Sequence, residues 1–344
     1  MRDRPIDIVG NRRWFYLFSL ILILPGVISL MIPPRLKPGI DFSSGSTFTV
    51  RFAEPVDADE LRAELANLDH SEARVQHSGD NEFLVRTRTL RGATSAPPVG
   101  PAPPSERDEI EDALRAEFGN MANSDGVASE QQGFVEFNSI SATVSRDIAK
   151  NAGYALVAAS GAIFLYLWWS FRSVPKPFRF GAAAVFALLH DALLVVGAFS
   201  ILGKLIDTEI NVMFVTAILT VIGFSVHDSI VVFDRIRETV GRGDGLSFAE
   251  AVNTSLLQTM GRSLNTTLTL VFAILALLLI GGGIEEFLWA MLIGVVTGAY
   301  SSVFIASQIL VSWEEGDVPR FFRRVFRRPE PLEEEYEAEP VPAI

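Results

Sequence analysis

Six apolar runs decide what this chain can fold into. Residues 14–32, 152–171, 180–202, 210–233, 263–280 and 287–311 each reach or approach the roughly 18–20 residues that carry a helix across a hydrocarbon core. Inside that core every backbone N–H and C=O has to be satisfied within its own segment, so each run folds as a helix. The sequence therefore predicts an α-helical polytopic membrane protein with six transmembrane helices and both ends on one side. Lys and Arg set the side. Arg12 and Arg13 precede the first run, Arg172, Lys176 and Arg179 share one short loop, Arg235, Arg237, Arg242 and Arg262 another, and Arg320 to Arg328 follow the last run. The loops 203–209 and 281–286 hold only Lys204 beside Asp207, Glu209, Glu285 and Glu286. This bias places both termini in the cytoplasm.

The first run has a basic flank like a signal peptide, but no small-residue cleavage pattern follows it, so it reads as an uncleaved anchor behind a cytoplasmic N-terminus, 1–13. The chain has no cysteine, which excludes disulfides and cysteine metal sites. No other metal or cofactor motif replaces them. The net charge of -12 comes partly from the tail 312–344, basic and then acidic, whose PLEEEYEAEP stretch reads as disordered. It does not point to nucleic acid.

Residues 33–150, between the first two runs, are enough for one small extracytoplasmic domain. TFTVRF (47–52) alternates as a strand, and 56–68 has an Asp cap with Leu61, Leu65 and Leu68 at helical spacing. ARVQHS and EFLVRT flank Gly79-Asp80-Asn81 as a hairpin. Past the proline-rich 96–104, read as a loop, Ser105 caps a helix striped by Ile110, Leu114 and Phe118, and FVEFNSI (134–140) adds a strand. Strand, helix, strand, strand, helix, strand suits a ferredoxin-like α+β domain. Residues 141–153 are helical in character and run into the second span, where they are placed to couple the domain to the five-helix bundle of 151–311. The loop 234–262 carries Phe248, Val252, Leu256 and Leu257 at helical spacing and reads as an amphipathic helix along the membrane surface.

Ionisable groups inside spans are functional-site hypotheses. His190 and Asp191 fall near the middle of the third run, and His227 and Asp228 near the inner end of the fourth. Arg262 opens the fifth run from the same side, so antiparallel neighbours bring it to the depth of Asp228, and the expectation is an ion pair that protonation of Asp228 releases. Asn265, Thr266, Thr267 and Thr269 continue that helix with groups able to carry water or hydrogen bonds. Two readings stand for Asp228, proton or ion passage and a purely structural buried pair. For His190 and Asp191 a proton relay and a helix-to-helix hydrogen bond serve equally well. His227 points about 100° away from Asp228 and has the weaker claim. No HExxH, GxSxG or P-loop sequence is present, and neither Asp191 nor Asp228 has the flanking glycines of an intramembrane aspartyl protease. The expectation is a protein that is not an enzyme.

Three segments resemble the SecF family, whose members partner SecD beside the bacterial protein-conducting channel. GIDFSSGS (39–46) is similar to the family's G-x-D-F-x-G-G-T element, GFSVHDSIVVFDRIRE (223–238) to its fourth-span signature, and QTMGRSLNTTLT (258–269) to the opening of its fifth span. Ser44 and Ser46 stand where the family has glycine and threonine, His227 where it commonly has Asn, and Ser229 where it has Thr. The resemblance implies an RND-like subunit of the bacterial cytoplasmic membrane that uses the proton-motive force, with SecD, to help pull preproteins from the SecYEG channel; YajC/YidC-type proteins are further expected neighbours. It gives Asp228 and Arg262 the essential roles and makes Gly39, Asp41, Phe42 and Gly45 the junction between the first span and the domain. The rivals are a translocon scaffold that carries no protons and half of a small-molecule exporter of the same superfamily.

Overall fold

The computed structural model describes residues 7–79, 81–92, 105–123, 127, 133–174, 176–243, 245–281 and 284–316. The proline-rich 96–104 and most of the tail, from 317 on, lie outside the described residues. Helix α1, Arg12–Met31, is followed by the single turn α2, Ile40–Ser43, and then by β1 (Gly45–Arg51), α3 (Ala58–Asn67), β2 (Arg74–Gly79), β3 (Glu82–Thr87), α4 (Glu106–Phe118) and β4 (Glu136–Ile140). Five long helices complete the order: α5 (Ala142–Ser170), α6 (Phe178–Leu205), α7 (Val212–Gly241), α8 (Phe248–Ile280), and α9 (Glu285–Ser301), which passes through a π-turn at Ser302–Ala306 into α10 (Ser307–Glu314). Among the described residues six helices, counting α9 to α10 as one, are long and apolar enough to cross a membrane.

The strands form one antiparallel sheet in the order β2-β3-β1-β4. Alternation in β1 turns Phe48 and Val50 to one face, and Val85 and Phe83 stand opposite them on β3. Leu61 and Leu65 of α3 and Ile110 and Leu114 of α4 bury against that face. Both helices start where their sequence caps them: the Asp57 carboxylate accepts from the Asp59 N–H, and Ser105 and Asp108 close a reciprocal capping box. Burial alone would raise the Glu106 carboxyl, but hydrogen bonds from the Arg91 N–H and from Arg88, with both guanidinium charges, hold it below its usual range.

One expectation about the bundle is overturned. The stretch after Ser247 is not a separate surface helix. A capping box between Ser247 and Glu250 starts α8 at Phe248, no proline interrupts it, and it runs unbroken to Ile280. Val252 and Leu256 bury against Val232, Phe233 and Ile236 of α7, so the first turns of α8 belong to the bundle core rather than to the membrane surface.

α1 and α6 run parallel in a single register. Ser19 meets His190 and Ser29 meets Ser200, both at a sequence offset of 171, and Gly26 touches Gly197 between them. A Cβ on either glycine would sit 2.8 Å from the other's Cα, backbone against backbone. Gly197→Ala is expected to cost about 1–3 kcal/mol through overpacking. Gly161→Ala in α5, whose Cβ would meet nothing within 4 Å, is expected to be neutral or to gain up to about 1 kcal/mol from helix propensity. Thermal unfolding of the two variants in the same detergent checks the pair.

Candidate functional site

The centre of the bundle is polar because three spans each place one serine against the ionisable pair of a fourth. Asp191 is 0% exposed, and its Oδ2 accepts from Ser225 Oγ of α7 and Ser301 Oγ of α9, each at 2.7 Å. Its Oδ1 pairs with His190 Nδ1 at 3.0 Å, while His190 Nε2 meets Ser19 Oγ of α1. With Nδ1 donating to the carboxylate, Nε2 is the acceptor for the serine hydroxyl. Tyr300 lies along the imidazole, ring centres 6.2 Å apart, and donates to the Phe15 carbonyl at 2.8 Å. Gly294 and Gly298 let α9 close on Val221 and Ser225 of α7, which brings Ser301 into reach. Ser301 is the last residue before the π-turn, a local irregularity of the kind that recurs at functional sites.

Asp228 lies one turn further along the same face of α7 as Ser225. It is 3% exposed, and its Oδ2 has no hydrogen-bond partner. Ser263 of α8 stands beside it. Ser263 Oγ and Thr267 Oγ1, one turn apart on α8 and both buried, also lack partners. A buried carboxyl beside the uncommitted Ser263 hydroxyl at a helix contact can take up a proton, or bind water, without first breaking another interaction.

The ion pair expected from the sequence does not form. Arg262 is exposed, and Asn265, Thr266 and Thr269 share its exposed face of α8. Among the described residues the threonines there bond to their own helix alone: Thr266 Oγ1 to the Arg262 and Ser263 carbonyls, Thr269 Oγ1 to the Asn265 carbonyl. Neighbouring positions on a helix differ by about 100° in azimuth, and Ser263 rather than Arg262 meets Asp228. His227 is exposed, turned away from Asp228 as its position implies. Ser19, Ser225 and Ser301 were missed by sequence reasoning. The signal for Ser225 was present, since it sits three residues before Asp228 on one helical face.

The junction residues sit together at the domain end. Gly39 N–H donates to the Ile210 carbonyl and Ile210 N–H to the Lys37 carbonyl, both at 2.8 Å. Asp41 Oδ2 accepts from Val212 N–H at 2.8 Å, the first residue of α7, so the domain caps the helix that carries Asp228. Gly45 has a φ of +141°, and a Cβ there would lie 2.7 Å from the Thr87 carbonyl. Phe42 lies in α2, which packs on the start of α5, where Ser145 Oγ donates to the Ile40 carbonyl at 3.1 Å. Arg86 of β3 pairs with Glu209 and Lys37 with Asp207 in the α6–α7 loop. Burial pushes the Glu209 carboxyl up, against the pull of Arg86 and Arg74, whereas the Lys37 hydrogen bond holds Asp207 below the usual range.

Comparison with known proteins gives one answer throughout. The family model described as protein export membrane protein SecD/SecF, C-terminal, matches residues 122–316. Protein translocase subunit SecF of Thermobaculum terrenum is 45% identical over 327 residues, 95% of this chain and 98% of that one. Protein translocase subunit SecDF of Bacillus subtilis is 32% identical over 90% of this chain but 38% of its own length. The crystal structure of SecDF from Thermus thermophilus superposes with a TM-score of 0.72 at 29% identity, covering 91% of this chain and 39% of that one. This multi-pass membrane chain therefore belongs to the SecD/SecF family of protein-export membrane proteins, in its SecF branch.

Proposed function

We propose that this chain works with a SecD-like subunit to turn the proton-motive force into preprotein export across the bacterial cytoplasmic membrane, as a non-enzymatic, RND-like transport subunit. The observation that carries the reading is Asp228: a carboxyl inside a spanning helix, 3% exposed, its Oδ2 without a hydrogen-bond partner, with the unpartnered Ser263 hydroxyl beside it across the α7–α8 contact. A change of charge there alters the energy of that contact. One proton moving through 100 mV supplies about 2.3 kcal/mol, enough to bias a two-state element roughly 50-fold.

Two routes lead from α7 to the domain, which we read as ferredoxin-like and extracytoplasmic, with both termini in the cytoplasm. Asp41 and Glu209 tie it to the start of α7, and α5 continues from its last strand into the bundle. The exposed stripe of Arg262, Asn265, Thr266 and Thr269 is unsuited to lipid and fits a polar protein partner. Relatives in which SecD and SecF are named as one polypeptide support a SecD-like subunit in that place. The SecYEG channel, YajC/YidC-type proteins and an unfolded preprotein complete the proposed surroundings.

Vesicles holding this chain, its SecD-like partner and the channel should continue export after ATP is exhausted, for as long as a proton gradient is imposed. Export that is equal with and without the gradient would make the chain a scaffold. Arg262→Ala is expected to lower gradient-driven export by about tenfold, equivalent to about 1.4 kcal/mol at the partner contact, with membrane insertion unchanged.

A further inference from the structure

The parallel α1–α6 pair that closes at Gly26 and Gly197 opens again toward the domain end. A groove of about 700 Å³ runs along α1 to that end, walled by Ile21, Leu24 and Ile28 of α1, by Ile32 just past it, and by Ile201 and Lys204 of α6. Ile21, Leu24 and Ile28 lie on one exposed face of α1, and Ile32, exposed as well, follows its last turn. From Ile21 to Ile32 the groove runs roughly 16 Å at the helical rise, about half of a hydrocarbon core of roughly 30 Å. That is the depth of one leaflet.

The end of the groove is cationic. Lys204 Nζ donates to the Ser29 carbonyl at 2.6 Å and to the Ile32 carbonyl at 2.9 Å, which fixes the ammonium at the last turn of α1 and leaves one of its three N–H groups. Arg35 is exposed just beyond, and its carbonyl accepts from Ser200 Oγ. Neither cation meets a carboxylate among the described residues. The acids of the adjacent loop are already committed, Asp207 to Lys37 and Glu209 to Arg86.

We infer that this groove is a binding site for an anionic phospholipid of the domain-side leaflet, one acyl chain lying along α1 and the phosphate meeting Lys204 and Arg35. Apolar depth matched to one leaflet and two cations at its head select a negatively charged lipid over a zwitterionic one. Lys204 also satisfies carbonyls at the end of α1, and that capping role alone predicts no lipid selectivity.

The chain has no cysteine, so Leu24→Cys carries a single bimane reporter within the groove. The full chain with its SecD-like partner is reconstituted in phosphatidylcholine vesicles containing brominated phosphatidylglycerol or brominated phosphatidylcholine at equal mole fraction. Brominated phosphatidylglycerol is expected to quench preferentially, by roughly fivefold in local enrichment per cation. Lys204→Gln with Arg35→Gln should remove the preference, and a reporter at Val157→Cys, a 74% exposed position of α5, should show none. Equal quenching by the two lipids, or a preference that survives the double substitution, overturns the site. Quenching by neither lipid means that a protein helix covers the groove, and overturns it as well. Ile28→Cys serves as the reporter position should Leu24→Cys fail to insert.

Discussion

Asp228→Asn abolishes the response of export to a proton gradient and leaves the folded chain in the membrane at its normal level. Asn has the shape of the acid and can still hydrogen-bond the Ser263 hydroxyl beside it. It cannot change charge. Because a buried charge is costly in the bundle, its neutral isostere is neutral or stabilising for the fold, so lost activity cannot be assigned to lost structure. The stimulation that one proton across about 100 mV can provide, roughly 50-fold, is expected to fall to onefold. The measurement is export from vesicles with an imposed gradient, beside thermal unfolding and co-purification with the SecD-like partner. An Asn variant that still responds to the gradient would leave Asp228 with a purely structural role.

The contrast between Asp228 and Arg262 shows what a sequence can disclose about such a bundle. A carboxyl in an apolar run is conspicuous, and its depth follows from counting residues at the helical rise. Whether it meets Arg262 or Ser263 depends on which face of α8 turns inward, and that is decided by Val252 and Leu256 packing on α7. Hydropathy alone passes over these residues, because Asn253, Gln258 and Arg262 interrupt the run, although the Ser247 cap and the absence of proline allow one helix throughout. The small domain was more legible: alternation in 47–52 and the caps at Asp57 and Ser105 are local signals that survive into the fold. The junction element at Gly39 and Asp41 was located by resemblance, but its grip on Ile210 and Val212 joins residues some 170 positions apart, and no local pattern reports that.

The serines around Asp191 are the hardest case, and they carry the second large prediction. Each alone is an ordinary small polar residue in a span, and only packing brings Ser19, Ser225 and Ser301 from three helices onto His190 and Asp191 of a fourth. Two substitutions separate the shape of that carboxylate from its chemistry. Asp191→Ala removes the acceptor for two hydroxyls and an imidazole; at about 0.6 kcal/mol per interhelical hydrogen bond within a membrane the two serine bonds alone account for roughly 1 kcal/mol. The buried donors left without partners add to this, so a loss of about 3 kcal/mol is expected. Asp191→Asn retains one carbonyl acceptor and offers an N–H₂ that a reoriented serine hydroxyl can accept, so it should cost about 1 kcal/mol. Unfolding of both variants in detergent measures the difference. If Ala proves as stable as Asn, hydrogen bonds do not hold the four helices together at this point, and the close contacts of Gly26 with Gly197 and of Gly298 with Ser225 are what fix α1, α6, α7 and α9. If the order is as expected, the bundle is pinned at Asp191 and free of such ties one turn away at Asp228, which confines a protonation-driven shift to the α7–α8 contact.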